Sequence, residues 1–299
     1  MYSIPFILIS LVNNLYTTVD MILLSRTMSD ILKLDSNIIE SIVGVYTTWG
    51  LKLNNIVLAI STGLVTSLIP NIVDSFTKND IDDVNDKFNK ALQCVLLIIV
   101  PMTIFLSLLV KPVWTLFYGN SYYGPIVYKY FVYTALFGSI YTIIINTLQG
   151  INKYKLVITT VLLGLITNAI LDVPLMLLFN KLDFNVSYGA ITAALIGYTL
   201  SIITSLYILK KKYQFNFNKT IKRIPHYIIS WTLFIISILL LKQILPTNLS
   251  ERLIQIPILA IYGIISFSIY IFINYKNKNL QEVFGNDFFN KKIFKLIRK

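Results

Sequence analysis

Lys52 is the residue whose type and position most clearly predict chemistry. It lies in the run Ser41–Ser75, SIVGVYTTWGLKLNNIVLAISTGLVTSLIPNIVDS, which is otherwise mostly apolar or small. A charge inside a membrane span costs about 2.5–3.5 kcal/mol on insertion scales, so such residues usually serve a function. Two interpretations stay open. Lys52 is a cation near the bilayer midplane that faces a water-filled cavity and meets an anionic headgroup, or its long side chain reaches outer water or an acidic partner.

Asp20 is a second ionisable residue in an apolar stretch, TTVDM. Three roles are open for it: pairing with Lys52, forming an ion site, or meeting interfacial water. Near Lys52, polar side chains could line the same cavity or form hydrogen bonds between helices. These are Asn54, Asn55, Ser61 and Thr62. We therefore take Lys52, Asn55 and Asp20 as candidate substrate-binding residues.

Other polar residues of the spans favour structural roles. Asp172 precedes Pro174 near the outer end of its span, which predicts an interfacial carboxylate. Lys129 lies about five residues into its span, which favours a side chain that snorkels to the interface. The amides of Asn13, Asn14 and Asn168 are predicted to join helices rather than to contact a ligand.

The sequence offers no residues for familiar enzyme chemistry. It holds one cysteine and one histidine, which excludes a disulfide and cysteine- or histidine-cluster metal sites. Phosphate-binding, dinucleotide-binding, metalloprotease and nucleophile-elbow motifs do not occur in it. We predict no enzyme, no cofactor and no metal site.

The composition predicts an all-α protein that crosses the membrane several times. Of the 299 residues, 56% are hydrophobic and 13% charged, and the mean hydropathy is +0.70. Soluble domains carry about 25% charged residues. In such a protein the net charge of +12 indicates basic cytoplasmic loops rather than nucleic-acid binding.

Hydrophobic runs predict eight transmembrane helices. They are 3–25, 41–73, 88–110, 124–149, 155–179, 187–209, 224–245 and 253–274. The second is longer than the roughly 30 Å bilayer core requires, so we expect it to tilt or bend, with Gly50, Gly63 and Pro70 as the places where bending is cheap. A span that begins at residue 3 suggests that the chain is the later part of a longer protein.

Lysine and arginine counts orient the spans. Eighteen of these residues fall in the segments 74–90, 150–155, 210–223 and 275–299, against six in the alternate loops. The positive-inside rule then places both termini in the cytoplasm. The tail NDFFNKKIFKLIRK alternates apolar and basic residues, so we expect an amphipathic helix on anionic lipids, with a disordered basic tail as the alternative.

Several stretches together resemble a known family. Five stretches occur in the order found in the multidrug/oligosaccharidyl-lipid/polysaccharide flippase superfamily. They are Ser3–Asp20, Gly44–Ile72, Val100–Gly119, Leu148–Lys155 and Asn185–Leu195. The likeness is greatest to its MurJ-like and stage V sporulation protein B-like branch. It covers nearly the whole chain and matches helices seven to fourteen of a fourteen-helix fold, without the first six-helix lobe.

The resemblance implies three regions: a six-helix lobe over 1–209, a basic loop with two further helices over 210–274, and a basic tail over 275–299. It implies a flippase of the bacterial cytoplasmic membrane that moves an undecaprenyl-pyrophosphate-linked sugar precursor, with Lys52 near the pyrophosphate. A missing N-terminal six-helix half is then an expected partner. A multidrug exporter that exchanges cations and a non-transporting scaffold for cell-envelope assembly are the alternatives.

Overall fold

The computed structural model describes residues 15, 17–247 and 249–285, and all regular structure in these ranges is helical. Residues 17–26 form α1, followed by a π-helical turn at Thr27–Ile31. The next helices are α2 (Ser36–Gly44), α3 (Gly50–Thr77), α4 (Ile81–Leu108), α5 (Val110–Tyr118), α6 (Tyr123–Gly150) and α7 (Tyr154–Lys181). They are followed by α8 (Ser187–Tyr213), α9 (Asn218–Ile244), α10 (Gln255–Lys276) and α11 (Asn279–Phe284).

Seven helices in the described ranges are long and apolar enough to cross a membrane. They correspond to the second to eighth predicted spans. The first predicted span falls largely on residues 1–14, which lie outside the described residues, as do Asn13, Asn14 and the tail segment 286–299. The polytopic helical class is therefore confirmed, and the count of eight stays a prediction.

A helical rod of 42 residues, Ser36–Thr77, contains α2 and α3. It is longer than the predicted span 41–73, because the Asp35 carboxylate accepts a 2.8 Å hydrogen bond from the amide of Asn37 and caps an earlier start. The irregularity in this rod is a π-helical turn at Val45–Trp49. Glycine is required directly after it, since a Cβ on Gly50 would lie 2.7 Å from the carbonyl oxygen of Val45.

The acidic stretch between the predicted spans 41–73 and 88–110 is helical from Ile81 onward. Helix α3 continues to Thr77 and α4 begins at Ile81. The Asp80 side chain caps α4 by accepting a 3.0 Å hydrogen bond from the amide of Asp83. Carboxylates in a first turn stabilise a helix through its dipole, and this explains why an acidic run could start a helix rather than interrupt one.

Helices α7 and α8 form a tightly packed antiparallel hairpin. Small residues let the backbones approach: Gly189 lies directly against the backbone of Met176, and Gly164 lies against the carbonyl of Gly197. The Ser201 hydroxyl adds a 2.8 Å hydrogen bond to the carbonyl oxygen of Thr160. Close packing of small residues with a few polar contacts is how helices associate in membranes.

Helices α9 and α10 pack against α4 and α5. In the middle, the Tyr270 hydroxyl donates to the carbonyl oxygen of Leu97 at 2.9 Å. At one end, the ammonium of Lys242 donates to the carbonyl oxygen of Leu108, the last residue of α4, at 2.6 Å. At the other end, Asn89 of α4 accepts 2.9 Å and 2.7 Å hydrogen bonds from the amide and the hydroxyl of Thr220. Both ends of this helix pair are thus joined to the lobe.

Candidate functional site

One face of α3 is exposed and polar over most of the helix. Four exposed polar residues are separated by three, seven and four positions along the chain, which places them on one side of the helix. They are Lys52, Asn55, Thr62 and Thr66. The neighbouring Ser67 and Asn71 are exposed as well. Polar groups at membrane depth are expensive against lipid, so this face suits a water-filled cavity or a polar partner.

The exposed faces of α7 and α9 are largely apolar. Along α7 the exposed large residues are Leu162, Ile166, Ile170, Leu177 and Leu178. Along α9 they include Ile228, Ile229, Leu233, Ile236, Leu239 and Leu240. Such faces suit the hydrocarbon of a bilayer. The contrast marks the face of α3 as the one built for a different environment.

A cavity of about 500 Å³ opens beside α3. Its wall is mixed, with Asn54 from α3, Asp20 from α1 and Tyr198 from α8 among the lining residues. Helix α6 contributes a row of polar side chains, namely Thr134, Thr142, Asn146 and Gln149. Lys52 and Asn55 do not line this cavity, but their neighbours Leu51 and Asn54 do. The predicted site residues therefore lie on and beside one polar surface.

Lys52 lies deeper along its helix than the sequence indicated. The predicted span begins at residue 41, but the helical rod begins at Ser36 and places Lys52 about 24 Å along the axis by the helical rise. Pairing with Lys52, one of the three roles left open for Asp20, is not present: Asp20 is buried elsewhere, and Lys52 forms no ion pair with any described residue. Its charge remains available to an anion.

Trp49 shapes the surroundings of Lys52. The Lys52 ammonium lies 5.6 Å from the centre of the Trp49 ring, a cation–π distance. The carbonyl oxygen of Trp49 accepts a 2.8 Å hydrogen bond from the Tyr118 hydroxyl of α5, and the two rings meet at 5.1 Å. Helix α5 therefore holds the π-helical turn that precedes Lys52.

A buried acidic pair lies on the α1 side of the cavity. Asp20 is 8% exposed and Asp172 is fully buried. The Asn168 amide donates a hydrogen bond to the Asp20 carboxylate, and the two carboxyl groups are close enough to interact directly. Neither oxygen of Asp172 has a donor among the described residues. Two adjacent carboxylates in such a place require a shared proton or a bound cation.

The interfacial position predicted for Asp172 is therefore wrong. Asp172 lies about 14 Å from the end of α7 by the helical rise, and its side chain is fully buried. The sequence did hold one usable signal. Asn168 and Asp172 are four residues apart, and this spacing puts both on one helix face. Among the described residues no three histidine, cysteine or acidic side chains converge, so the pair suits a monovalent cation or a proton better than a transition metal.

Two of the other polar residues near Lys52, Asn54 and Ser61, join helices. The Asn54 amide donates to the hydroxyl of Thr134 on α6 at 3.0 Å. The hydroxyl of Ser61 donates to the carbonyl oxygen of Ser139 at 3.2 Å. Thr62 instead donates to Leu58 in its own helix. The first two contacts fix α3 against α6 and thereby orient the polar face.

Comparisons with known proteins show the family of the chain. A family model described as "Lipid II flippase MurJ" matches residues 36–240. The chain is 25% identical over 291 residues to the lipid II flippase MurJ of Bacillus subtilis (strain 168), with 95% of this chain and 52% of that protein covered. The chain thus spans about half the length of the curated relative it matches.

A solved structure shares the fold. It is a lipid II flippase MurJ in an inward closed conformation, with a TM-score of 0.67 and 16% sequence identity. The match covers 90% of this chain and 52% of that one. At this identity the likeness concerns the helical fold and its connectivity.

Proposed function

Because the chain belongs to the lipid II flippase MurJ family, we propose that it is part of a membrane transporter that moves an undecaprenyl-pyrophosphate-linked cell-wall precursor outward across the bacterial cytoplasmic membrane. The observation that supports this best is the polar, exposed face of α3 with Lys52 in it. A polar face along a membrane-length helix provides a path for a hydrated headgroup.

Lys52 and Asn55 would bind the headgroup. The ammonium would attract the pyrophosphate, and the amide of Asn55 would donate hydrogen bonds to its oxygens. Lys52 has no ion-pair partner among the described residues that the substrate would have to displace. The lipid tail would lie in an apolar groove between the first two spans.

The lysine-rich end of the bundle would face the cytoplasm, with both termini on that side. This lobe would form one wall of a central cavity, and a second six-helix lobe would cover the polar face of α3. Transport would follow alternating access of the site between two lobes. No covalent chemistry is needed.

Asp20 and Asp172 would couple transport to an ion. A proton or a monovalent cation between the two carboxylates lowers their repulsion, so occupancy would hold α1 against α7. Release of the ion would let α1 separate from α7 and reopen the cavity. The driving force would be an ion gradient or the membrane potential.

The same acidic pair favours a second candidate function, the export of cationic compounds. Asp20 borders the cavity, so a cationic substrate could bind its carboxylate instead of an inorganic ion. Expression that changes susceptibility to cationic drugs, with loss of the effect in Asp20→Asn, would favour this alternative over precursor transport.

The experiment that tests the main proposal measures flipping of a fluorescent undecaprenyl-pyrophosphate-linked saccharide by the assembled transporter in proteoliposomes. We expect Lys52→Gln to lower the rate at least tenfold and Lys52→Arg to retain most of it, because only the charge is needed for attraction. Lys181→Gln, at the exposed end of α7, is the matched control and should be unchanged. Equal rates for Lys52→Gln and Lys181→Gln would refute the role of Lys52.

A further inference from the structure

The lysines at one end of the bundle fall into two groups with different surroundings. Apart from Lys222, those on or directly after α3, α4 and α9 are ion-paired: Lys78 with Asp74 at 2.7 Å, Lys87 with Asp83 at 2.5 Å, and both Lys90 and Lys219 with the one carboxylate of Asp86 at 2.7 Å. The lysines of the α7–α8 hairpin are not. We call Lys153, Lys155, Lys210, Lys211 and Lys212 the lysine rim, and none of them forms an ion pair with a described residue.

The two ends of the hairpin that carry the rim are in contact. The ammonium of Lys153, in the turn before α7, lies 5.2 Å from the ring centre of Tyr213 at the end of α8. The ammonium of Lys211 lies 3.2 Å from the hydroxyl of Tyr207 and 5.6 Å from its ring centre. No acidic residue occurs in α8 or in the first four turns of α7. The charge of the rim is therefore uncompensated by its own hairpin.

Each helix below the rim continues as an exposed apolar stripe. On α8 the exposed residues run from Lys211 and Lys210 through Tyr207 to Ile203, Leu200 and Ile196. These positions repeat every three or four residues and so share one face. On α7 the exposed residues of the stripe are again three or four positions apart: Lys155, Thr159, Leu162, Ile166 and Ile170. Both stripes change from cationic to polar or aromatic and then to apolar.

This order is the order of a phospholipid. The phosphate lies outermost, the glycerol and ester groups follow, and the acyl chains extend toward the bilayer centre. Aromatic residues such as Tyr207 suit the headgroup level. An acidic protein partner would use the lysines alone and would leave the apolar stripes below them without a role.

We propose that the α7–α8 hairpin binds an anionic phospholipid lengthwise, with the headgroup phosphate on the lysine rim and the acyl chains on the stripes of α7 and α8. The phosphate would contact Lys155, Lys210 and Lys211. Tyr207 would lie beside the glycerol. The site is separate from the polar face of α3, and its existence does not depend on what the protein transports.

The test counts lipids bound to the purified full chain by native mass spectrometry, with phosphatidylglycerol and phosphatidylcholine of identical acyl chains as probes. A lysine near an anionic surface is worth about fivefold in affinity. We expect preferential retention of phosphatidylglycerol, and at least a tenfold loss of its affinity in the triple variant Lys155→Gln, Lys210→Gln, Lys211→Gln. The same three positions changed to Arg should retain the lipid.

The matched control removes three charges that already form ion pairs, with Lys78→Gln, Lys87→Gln and Lys90→Gln. It should keep the preference, and the tail 286–299 is unchanged in every variant. An equal loss of phosphatidylglycerol affinity in both triple variants, or no loss in either, would overturn the proposal of this site. Equal retention of the two lipids, or displacement of phosphatidylglycerol by millimolar inorganic phosphate, would also overturn it. If the melting temperature of the triple variant falls, Lys211→Gln alone should still show about a fivefold loss.

Discussion

Asn168 on α7 donates a side-chain hydrogen bond to the carboxylate of Asp20 on α1, although 148 positions separate the two residues. The bond brings Asp20 to Asp172, one helical turn further along α7, whose two oxygens have no donor among the described residues. A buried pair of carboxylates with one amide is an incomplete polar cluster, and a cation or proton would complete it.

The acidic pair predicts a salt-dependent stability. We expect the melting temperature of the chain to be higher in sodium or potassium chloride than in choline chloride at equal ionic strength, because choline is too large to enter. Saturation of a site at about 100 times its Kd stabilises a protein by about 2.7 kcal/mol. Asp172→Asn should abolish the difference.

Asp183→Asn is the control for that measurement, since Asp183 is exposed at the end of the same hairpin. It should leave the salt response intact. A salt response that persists in Asp172→Asn would contradict a cation site at the pair. A stability that depends on pH and not on the cation would instead point to a shared proton.

Two glycines should respond in opposite directions to alanine. A Cβ on Gly189 would lie 2.4 Å from the backbone nitrogen of Met176, so Gly189→Ala must push α8 away from α7. We expect a loss of about 1–3 kcal/mol, as for other overpacked sites. A Cβ on Gly63 would meet no atom within 4 Å, so Gly63→Ala should gain about 0.5–1 kcal/mol from helix propensity. Thermal unfolding of both variants measures this, and similar shifts for the two would contradict the tight α7–α8 contact.

Asn89 holds the α8–α9 connection. Its amide group donates to the carbonyl oxygen of Asn216 at 2.6 Å and accepts from the amide of Thr220 at 2.9 Å. Asn89→Ala leaves the buried amide of Thr220 and the partly buried carbonyl of Asn216 without this partner, and we expect a cost of about 1–3 kcal/mol. Hydrogen exchange at Thr220 should accelerate together with a fall in melting temperature.

Asn71→Ala is the control for this measurement, since the Asn71 amide is exposed and donates to Ser67 of its own helix. An equal effect of Asn71→Ala would contradict the role of Asn89 in holding the α8–α9 connection.

The prediction of the helices from sequence was good because a span needs only length and hydropathy. Seven of the eight predicted spans match helices of the described ranges. The errors lie at the helix ends. The acidic run beginning at Asp80 resembled a loop by composition, whereas carboxylates at that position cap and start α4. Capping depends on side-chain geometry, which hydropathy does not measure.

The candidate site was only partly predictable. Lys52 stood out because a charge in an apolar run is costly wherever the helix lies. The exposed polar face of α3 could also be read from the spacing of Lys52, Asn55 and Thr62. Asp172 was predicted at the interface from its distance to the end of its span, and its four-residue spacing from Asn168 was not used.

The sequence by itself determined that this chain is a bundle of membrane-length helices with a cation in one of them, because burial in a bilayer selects apolar residues one helix at a time. Only the tertiary structure decided that Asp20, Asn168 and Asp172 meet, and that Lys52 and Asp20 do not. The reason is physical. Two things set which helix faces meet: the fit of small residues such as Gly164 and Gly189 across the α7–α8 hairpin, and the hydrogen bonds between distant helices. Neither is a property of any single span.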